Sequence, residues 1–346
     1  MAVKIGVVGD IGGTNARFGV VFIDEYNKPT LQYPTALPAK DFNTAEDALD
    51  AYLSQNNIQH PLDFSVMAVA GPVTNGSVSF TNLNWTLSEE RIKKQFGIKH
   101  VSLINDFTAM AKSISALSSE DFVLIGPAAT GTKGAPIAVL GPGTGFGVSA
   151  LLRNSETEVL LSTEAGHIPF APQSELEIEI WRILQQAFGR VSVERILSGP
   201  GLISLYQALS QINGHSAHYN HSSEITQAAD SGDTTAEQAV DYFCNLLGAV
   251  AGDVVLALGA RGGVYIAGGI APRMLNRLAK GSFRKNFAAK GRLSSYVEQV
   301  PTRVIVQRYA ALFGAMEMAT SLLSDNSHTT LSVSHSRVGS ELLLQK

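Results

Sequence analysis

Short apolar runs alternate with longer amphipathic stretches along most of this chain. Residues 3–8 and about 16–23 have the pattern of two buried strands joined by a glycine-rich turn, and further strands are predicted at 64–71 and 101–107. Residues 44–55 place apolar side chains at helical spacing, and a second helix is predicted directly after residue 107, with Thr44 and Thr108 as the predicted N-caps of the two helices. Strands that alternate with helices in this way predict an α/β fold.

The same arrangement begins again in the second half of the chain. The stretch PIAVLGPGTGFGVSALL at 136–152 places a glycine turn with a threonine between two apolar runs, as VVGDIGGTNARFGVV does at 7–21. We interpret this as a weak internal repeat of one hairpin unit, although two glycine turns can also coincide by chance. The length of 346 residues is also typical of two domains.

The remaining predicted elements are mainly helical. They are helices at 174–188, 199–212 and 233–260, a short buried strand within 262–272, and a strand leading into a helix at 304–323. Residues 325–346 are rich in Ser and Thr and lack an apolar period, so we expect them to form a mobile tail.

Composition excludes several classes of function. The formal net charge is −4 and no basic block occurs, which argues against nucleic acid as a partner. No apolar run approaches the ~18 residues of a membrane span, and the first residues do not resemble a secretory signal. The single cysteine, Cys244, cannot build a disulfide framework or a Cys-rich zinc site. We expect a cytoplasmic protein, and whether it forms a homodimer is left open.

The first glycine turn is a candidate phosphate site. Gly12 and Gly13 tolerate positive φ and let a ligand approach the backbone, while Thr14 adds a hydroxyl donor. Asp10 would repel a phosphate unless a Mg²⁺ ion lay between them. The alternative is a structural β-turn in which Asp10 only accepts hydrogen bonds.

Two common nucleotide motifs do not match. In GPAATGTK at 126–133 a threonine separates the last glycine from the lysine, so the stretch is not a Walker A loop. GPGTGFG at 141–147 is followed by VSALL, which has the pattern of a strand, whereas the Rossmann fingerprint opens a helix.

Other polar residues stand at predicted element ends. Asn105 and Asp106 follow a strand, where Asp106 could take a proton from a substrate hydroxyl and either side chain could simply cap the next helix. Glu164 and His167 could together bind hydroxyls of a polyol, or belong to a structural loop. Glu194, before an SGPG turn, could equally be a surface residue. The histidine-containing segment 213–221 is polar, and we interpret it as a solvated loop.

Taken together, these motifs resemble the bacterial glucokinase family, in the group without a zinc site. The resemblance extends to about residue 324 and rests on segments in the family's order: GDIGGTNARFG, TNLNW (81–85), INDFTA, GPGTGFG, EAGHIPF, VERILSGPG and GGVYIAGGIAPR (262–273). It implies an actin-like, ribonuclease-H-like α/β fold with two domains and a cleft between them. The implied domains are 1–115 with about 304–324 (small) and 116–303 (large).

The resemblance also implies residue roles in ATP-dependent phosphorylation of D-glucose at its 6-hydroxyl. Asp106 resembles the catalytic base, and the implied sugar-binding set is Asn105, Asp106, Glu164, His167 and Glu194. The implied ATP contacts are Gly9, Asp10, Ile11, Gly12, Gly13, Thr14, Gly143, Thr144, Gly145, Gly268 and Gly269, with Asp10 near Mg²⁺.

Three alternatives were weighed against this interpretation. A kinase for another hexose on the same fold stays open, except that the single cysteine excludes the zinc-containing sugar kinases. A sugar-sensing transcription regulator would need a helix-turn-helix, and the chain starts directly with a predicted strand. A nucleotide-binding protein of the actin type would leave Glu164, His167 and Glu194 without a role.

Overall fold

The computed structural model describes residues 3–58, 61–80, 83–153 and 158–324, so the predicted tail at 325–346 and the first two residues of TNLNW lie outside it. The described strands are β1 (Lys4–Ile11), β2 (Asn15–Ile23), β3 (Pro29–Pro38), β4 (Phe64–Val69), β5 (Ser77–Ser79), β6 (Thr86–Ser88), β7 (His100–Asn105), β8 (Phe122–Leu124), β9 (Ile137–Pro142), β10 (Phe146–Arg153), β11 (Glu158–Thr163), β12 (Gly263–Ile266) and β13 (Thr302–Ile305). The described α-helices are α1 (Ala45–Gln55), α2 (Glu89–Phe96), α3 (Asp106–Ser113), α4 (Glu175–Phe188), α5 (Gly199–Ile212), α6 (Ser222–Asp230), α7 (Thr234–Leu258), α8 (Leu275–Lys280), α9 (Phe283–Ala288), α10 (Ser294–Glu298) and α11 (Ala310–Ser324).

Two mixed sheets share one strand order. The first sheet runs β3-β2-β1-β4-β7, and the second runs β11-β10-β9-β12-β13 with β8 added at its edge. In both sheets the first three strands are antiparallel and the next two are parallel to the hairpin's first strand. The internal repeat predicted from the two glycine turns is therefore confirmed by the topology.

The central strands are apolar throughout because helices cover both faces of the sheet. In β1, Val7 packs into the core beneath α1 while the next residue, Val8, packs against α11 on the opposite face. Each is fully buried. Because successive strand side chains point to opposite faces, a run without alternation predicts a strand buried on both sides.

Two helices lie between the sheets. α11 packs on the first sheet through Leu312 and Met316, and α3 contacts the second sheet through Ala111. The helices touch closely, since a Cβ on Gly314 would lie only 1.8 Å from the carbonyl oxygen of Ala109. The N-terminus of α3, which begins at Asp106, therefore lies between the two sheets.

The return of the chain to the first sheet occurs at α11. β13, which includes the predicted return at 304, still pairs with β12 in the second sheet. The domain boundaries at 115 and about 304 themselves stay a prediction.

Helix starts follow the capping residues. Thr44 caps α1 in a capping box with Asp47, as predicted. The prediction of Thr108 as a cap is wrong, because α3 already begins at Asp106 and the side chain of Asn105 accepts its first free N–H groups. Helix α7 is the one described helix long and apolar enough to cross a membrane, and 67% of that apolar window is buried within the protein.

Candidate functional site

The first hairpin and the start of α3 lie at the same edge of the first sheet. Ile11 pairs with Val69, and Val69 pairs with Asn105, so the carboxyl ends of β1, β4 and β7 are aligned. Neighbouring strands are about 5 Å apart, which places the turn after Ile11 about 10 Å from the turn after Asn105. Ligands in open α/β sheets collect at such an edge.

The first glycine turn leaves space above its backbone. Gly12 donates its N–H to the carbonyl of Asn15 at 3.0 Å, and a Cβ on Gly12 would meet only that oxygen, at 3.7 Å. Neither Gly12 nor Gly13 has a positive φ, so the backbone freedom expected from the sequence is not used here. Thr14 is exposed at the tip. Packing does not require glycine at position 12, and the space is suited to a ligand.

Two of the predicted nucleotide residues have structural roles in β1. A Cβ on Gly9 would lie 2.2 Å from the sulfur of Met67, so glycine is needed there for strand packing. Ile11 is 1% exposed and lies in the core. A ligand could reach these two residues only through their backbone.

Asp10 is paired with an arginine that the sequence analysis did not single out. Its Oδ2 lies 2.7 Å from a guanidinium nitrogen of Arg17, the residue directly opposite it across the hairpin. Burial raises the pKa of Asp10, and the charge of Arg17 lowers it by less. Counting back from a turn at 12–15 pairs position 10 with 17, so a sequence signal for this ion pair existed.

The side chain of Asn105 caps the start of α3. The side-chain oxygen of Asn105 accepts the N–H groups of Phe107 and Thr108 at 3.0 and 3.1 Å. Its amide N–H₂ remains available as a donor. The predicted alternative of helix capping therefore holds for Asn105, and it does not exclude a ligand contact.

Asp106 has the electrostatics of a base near neutral pH. Burial and, to a smaller extent, the nearby carboxylates of Asp10 and Glu164 together raise its pKa to about 7, against hydrogen bonds that include one from the N–H of Phe107. That N–H lies 2.9 Å from Oδ1. Asp10 and Glu164, from distant parts of the chain, therefore lie close enough to Asp106 for their charges to act on its ionisation.

The second hairpin occupies the equivalent edge of the second sheet. Gly143 donates its N–H to the carbonyl of Gly145 at 2.8 Å and accepts from the N–H of Gly199 at 2.9 Å. A Cβ on Gly143 would have no neighbour closer than 4.0 Å. Thr144 is exposed at the tip. Both hairpins thus present an exposed threonine beside a glycine with open space.

The glycine pair after β12 lies next to this hairpin. Gly268 has φ +86°, and a Cβ there would lie 2.2 Å from the carbonyl oxygen of Pro142, so the fold requires glycine at this position. Gly269 has nothing within 4 Å of the position a Cβ would occupy. Of the pair, Gly269 is the one whose surroundings are open to a ligand.

The predicted sugar residues of the second half lie on two interlocked loops. Glu164 and His167 bracket a 3-10 turn, with 4.0 Å between their Oε2 and Nε2 atoms and 62% and 58% of their side chains exposed. Backbone bonds join this loop to the one that carries Glu194, including the N–H of Val193 donating to Ile168 at 3.0 Å. Arg190, also missed from the sequence, donates to the carbonyl of His167 at 2.8 Å.

Glu194 connects these loops to the second hairpin. Its Oε2 accepts the backbone N–H of Phe146 at 2.8 Å. The serine of the SGPG turn, Ser198, donates to the carbonyl of Glu194 and accepts the N–H of Gly201, which caps α5. Glu194 is thus held in place rather than lying free on a surface helix.

The histidine segment before α6 supplies no metal site. Across residues 3–58, 61–80, 83–153 and 158–324, no group of three or more His, Cys, Asp or Glu side chains could hold a metal ion. The prediction of a loop at 213–221 is confirmed.

Two sheets of one strand order, each with a glycine hairpin at one edge, together with the likeness to solved glucokinases, define the class: an actin-like two-domain kinase fold. Comparison with known proteins identifies the family within this class. The family model described as "Glucokinase" matches residues 7–322, and the chain belongs to the glucokinase family.

Individual relatives agree with this assignment. The chain is 48% identical to the glucokinase of Caulobacter sp. (strain K31) over 91% of its own length and 94% of that protein. The crystal structure of a glucokinase from an Antarctic psychrotroph is 36% identical, with a TM-score of 0.79 over 93% of this chain and 99% of that one. A ROK family glucokinase from Streptomyces griseus, solved with glucose and AMPPNP, shares the fold at 19% identity and a TM-score of 0.59, over 92% of this chain and 99% of that one.

Proposed function

We propose that this protein transfers the γ-phosphoryl group of ATP to the 6-hydroxyl of D-glucose. The observation that carries the proposal is Asp106, a carboxylate with a pKa of about 7 that follows β7 of the first sheet, while its neighbour Phe107 lies against Gly147 of the second hairpin. A general base works best when its pKa lies near the operating pH. Phosphoryl transfer otherwise needs positioning and charge neutralisation, which the hairpins would provide.

The proposed reaction moves one phosphoryl group and one proton. The 6-hydroxyl oxygen attacks the γ-phosphorus while its proton passes to Asp106, and the bond from that phosphorus to the β-phosphate oxygen breaks to leave ADP. Asn105, Glu164, His167 and Glu194 would hold the other sugar hydroxyls, so that only the 6-hydroxyl faces ATP. A hydrogen-bonding site of this kind discriminates strongly against analogues that lack a hydroxyl.

In this proposal the two hairpins hold the nucleotide through their backbones. Gly12, Gly143 and Gly269 fit this role, because each leaves space that a Cβ would enter. Thr14 and Thr144 would donate hydroxyl hydrogen bonds to phosphate oxygens. Gly9, Ile11, Gly13, Gly145 and Gly268 complete the nucleotide set proposed from the sequence.

A Mg²⁺ ion fits the donor set at the first hairpin. Asp10 and Asp106 are carboxylates that face one cleft, with Arg17 beside Asp10 as the cation that offsets their charge. Oxygen ligands are those that Mg²⁺ prefers, and it usually takes one or two carboxylates together with substrate phosphates. Asp10 would hold the ion, which would neutralise charge on the phosphates.

The decisive test is ADP release with Mg-ATP across glucose, mannose, fructose and N-acetylglucosamine, with a no-sugar control. We expect turnover on glucose far above the others. Turnover on a different sugar would favour the alternative of another hexose kinase. Silence with every sugar, from protein that still binds ATP, would favour a non-catalytic sensor on the same fold.

Location and assembly belong to the same proposal. We place the protein in the cytoplasm, where ATP is available and a lone thiol stays reduced. Glucose and ATP are the proposed partners, without nucleic acid or membrane. A homodimer would be recognised by light scattering of the purified chain.

A further inference from the structure

The carboxylate of Glu194 lies against the backbone of the second hairpin. Its Oε2 accepts the N–H of Phe146 at 2.8 Å, and a Cβ on Gly145 would stand only 2.4 Å from the same oxygen. Gly145 does not have a positive φ, so its backbone conformation is open to other residues. The nearest atom that an added Cβ at position 145 would meet is therefore a carboxylate oxygen of Glu194.

The next two residues, Phe146 and Gly147, begin β10 and lie equally close to the other candidate loops. The carbonyl oxygen of Phe146 lies 2.0 Å from the position of a Cβ on Gly166, within the loop that carries Glu164 and His167. A Cβ on Gly147 would lie 1.9 Å from the ring of Phe107, the residue after Asp106. Residues 145–147, which we call the platform strand, thus contact all three loops with proposed catalytic or sugar-binding side chains.

We propose that the platform strand positions the sugar site, with Gly145 and Phe146 acting as positioning residues for Glu194. This inference rests on the proposed function and assigns Gly145 a second role beside its proposed phosphate contact. One carboxylate oxygen of Glu194 is held by the hairpin, which leaves Oε1 for the sugar. Any ligand that displaces the second hairpin therefore displaces Glu194, and binding free energies coupled in this way are reciprocal.

Gly145 offers a clean test because of what an added methyl group would meet. At Gly166 the obstacle is a carbonyl oxygen of the backbone, so a substitution there would disturb the fold. At Gly145 the obstacle is the end of a flexible side chain, which can move away. Gly143→Ala is the matched control in the same hairpin, since its Cβ would have no neighbour closer than 4.0 Å.

The first experiment measures glucose binding by calorimetry without nucleotide, on wild type, Gly145→Ala, Gly143→Ala, Glu194→Ala and the Gly145→Ala/Glu194→Ala double variant. We expect Gly145→Ala to weaken glucose binding about ten- to hundredfold, the loss of a hydrogen bond to a charged group. The glucose affinity of Gly143→Ala, measured without nucleotide, should stay within about twofold of wild type, since this substitution leaves Glu194 in place. The double variant should bind no more weakly than Glu194→Ala, because the group that the methyl displaces is gone.

Three outcomes would overturn the inference: wild-type affinity in Gly145→Ala, equal losses in both glycine variants, or a double variant whose losses simply add. Absence of glucose binding in the wild type would instead defeat the proposed function itself, so the two failures are distinguishable.

A second measurement does not depend on Gly145→Ala folding. Glu194→Ala removes the acceptor for the N–H of Phe146, whereas the amide oxygen of Glu194→Gln retains it. Without glucose, we expect ADP affinity to fall about three- to tenfold in Glu194→Ala and to stay near the wild-type value in Glu194→Gln. Equal ADP affinity in both variants and wild type would contradict a link between Glu194 and the hairpin.

Discussion

The two glycine hairpins hold equivalent places in sheets of the same strand order, yet they differ in what surrounds them. The first contains a charged pair, Asp10 and Arg17, within its own strands. The second contains no charged residue between Gly143 and Gly147, and its backbone instead contacts Glu194 from another loop. The two turns thus hold equivalent positions in the topology but differ in their side chains. The first hairpin contains an ion pair, and the second holds the carboxylate of Glu194 through a backbone N–H.

This difference separates two kinds of contribution to the proposed reaction. Substitutions at the first hairpin should change charge-dependent steps, such as metal use and the ionisation of Asp106. Those near the second should change where sugar-binding groups stand. Asp106 belongs to both, because it follows β7 of the first sheet while its neighbour Phe107 packs on Gly147 of the second.

The largest effect is expected at the shared residue. Asp106→Asn removes the proposed base while keeping the side-chain shape, and kcat should fall about 10²- to 10⁴-fold, the usual contribution of general base catalysis. Steady-state kinetics with a coupled ADP assay measures it, and a thermal melt confirms folding. Turnover near the wild-type rate would remove Asp106 as the base.

A smaller effect is expected from the charge of the first hairpin. Asp10→Asn should weaken the apparent affinity for Mg²⁺ by at least about tenfold, because loss of even an outer-shell partner of a metal ligand costs about ten- to hundredfold. Titration of activity with Mg²⁺ at fixed ATP measures this change. Calorimetry of glucose without nucleotide is the control, and it should be nearly unchanged. An unaltered Mg²⁺ dependence would place the ion elsewhere.

Near the second hairpin, a substitution in the proposed sugar site should change the KM for glucose but not the KM for ATP. Glu164→Gln removes a charged acceptor, so the KM for glucose should rise about tenfold while the KM for ATP stays constant. Initial rates over a grid of both substrates separate the two constants. A glucose KM equal to that of wild type would show that Glu164 does not bind the sugar.

The pH profile reports the electrostatics of the cleft. Because the pKa of Asp106 is raised to about 7, kcat/KM for glucose should rise with pH and level off above 7, falling about tenfold for each unit below it. Asp10→Asn should move this limb to lower pH, since the Asp10 carboxylate helps to raise that pKa. A limb near pH 4 in wild type would contradict the raised pKa.

The smallest effect concerns stability. The raised pKa means that the folded protein keeps a proton on Asp106 between about pH 4 and pH 7, where the unfolded chain has released it. Ionisation of Asp106 in the folded protein therefore lowers the free energy of unfolding. The contribution of protonated Asp106 to that free energy is fully present below about pH 4 and is lost as the pH rises through about 7. The Tm advantage of Asp106→Asn over wild type should grow across this window. A constant difference would show that Asp106 titrates normally when folded.

Much of the site could be predicted from local sequence. The turn at Gly12 and the cap at Asn105 lie at ends of strongly apolar strands, where period and residue type suffice. Some contacts were missed although a local signal existed, as with Arg17 opposite Asp10. The positive φ that glycine tolerates is not used at Gly12, because the space above a glycine and its φ are separate properties.

The α/β elements, the repeated hairpin and the polar residues at strand ends could all be predicted from the amino-acid sequence, because side-chain period and turn chemistry act between near neighbours. Two effects depend instead on the folded chain: Asp10 and Glu164 raise the pKa of Asp106, and Glu194 accepts a hydrogen bond from the N–H of Phe146. Those effects depend on the separation and burial of groups far apart in the chain. Coulomb energy and desolvation vary with distance in space, which local sequence does not specify.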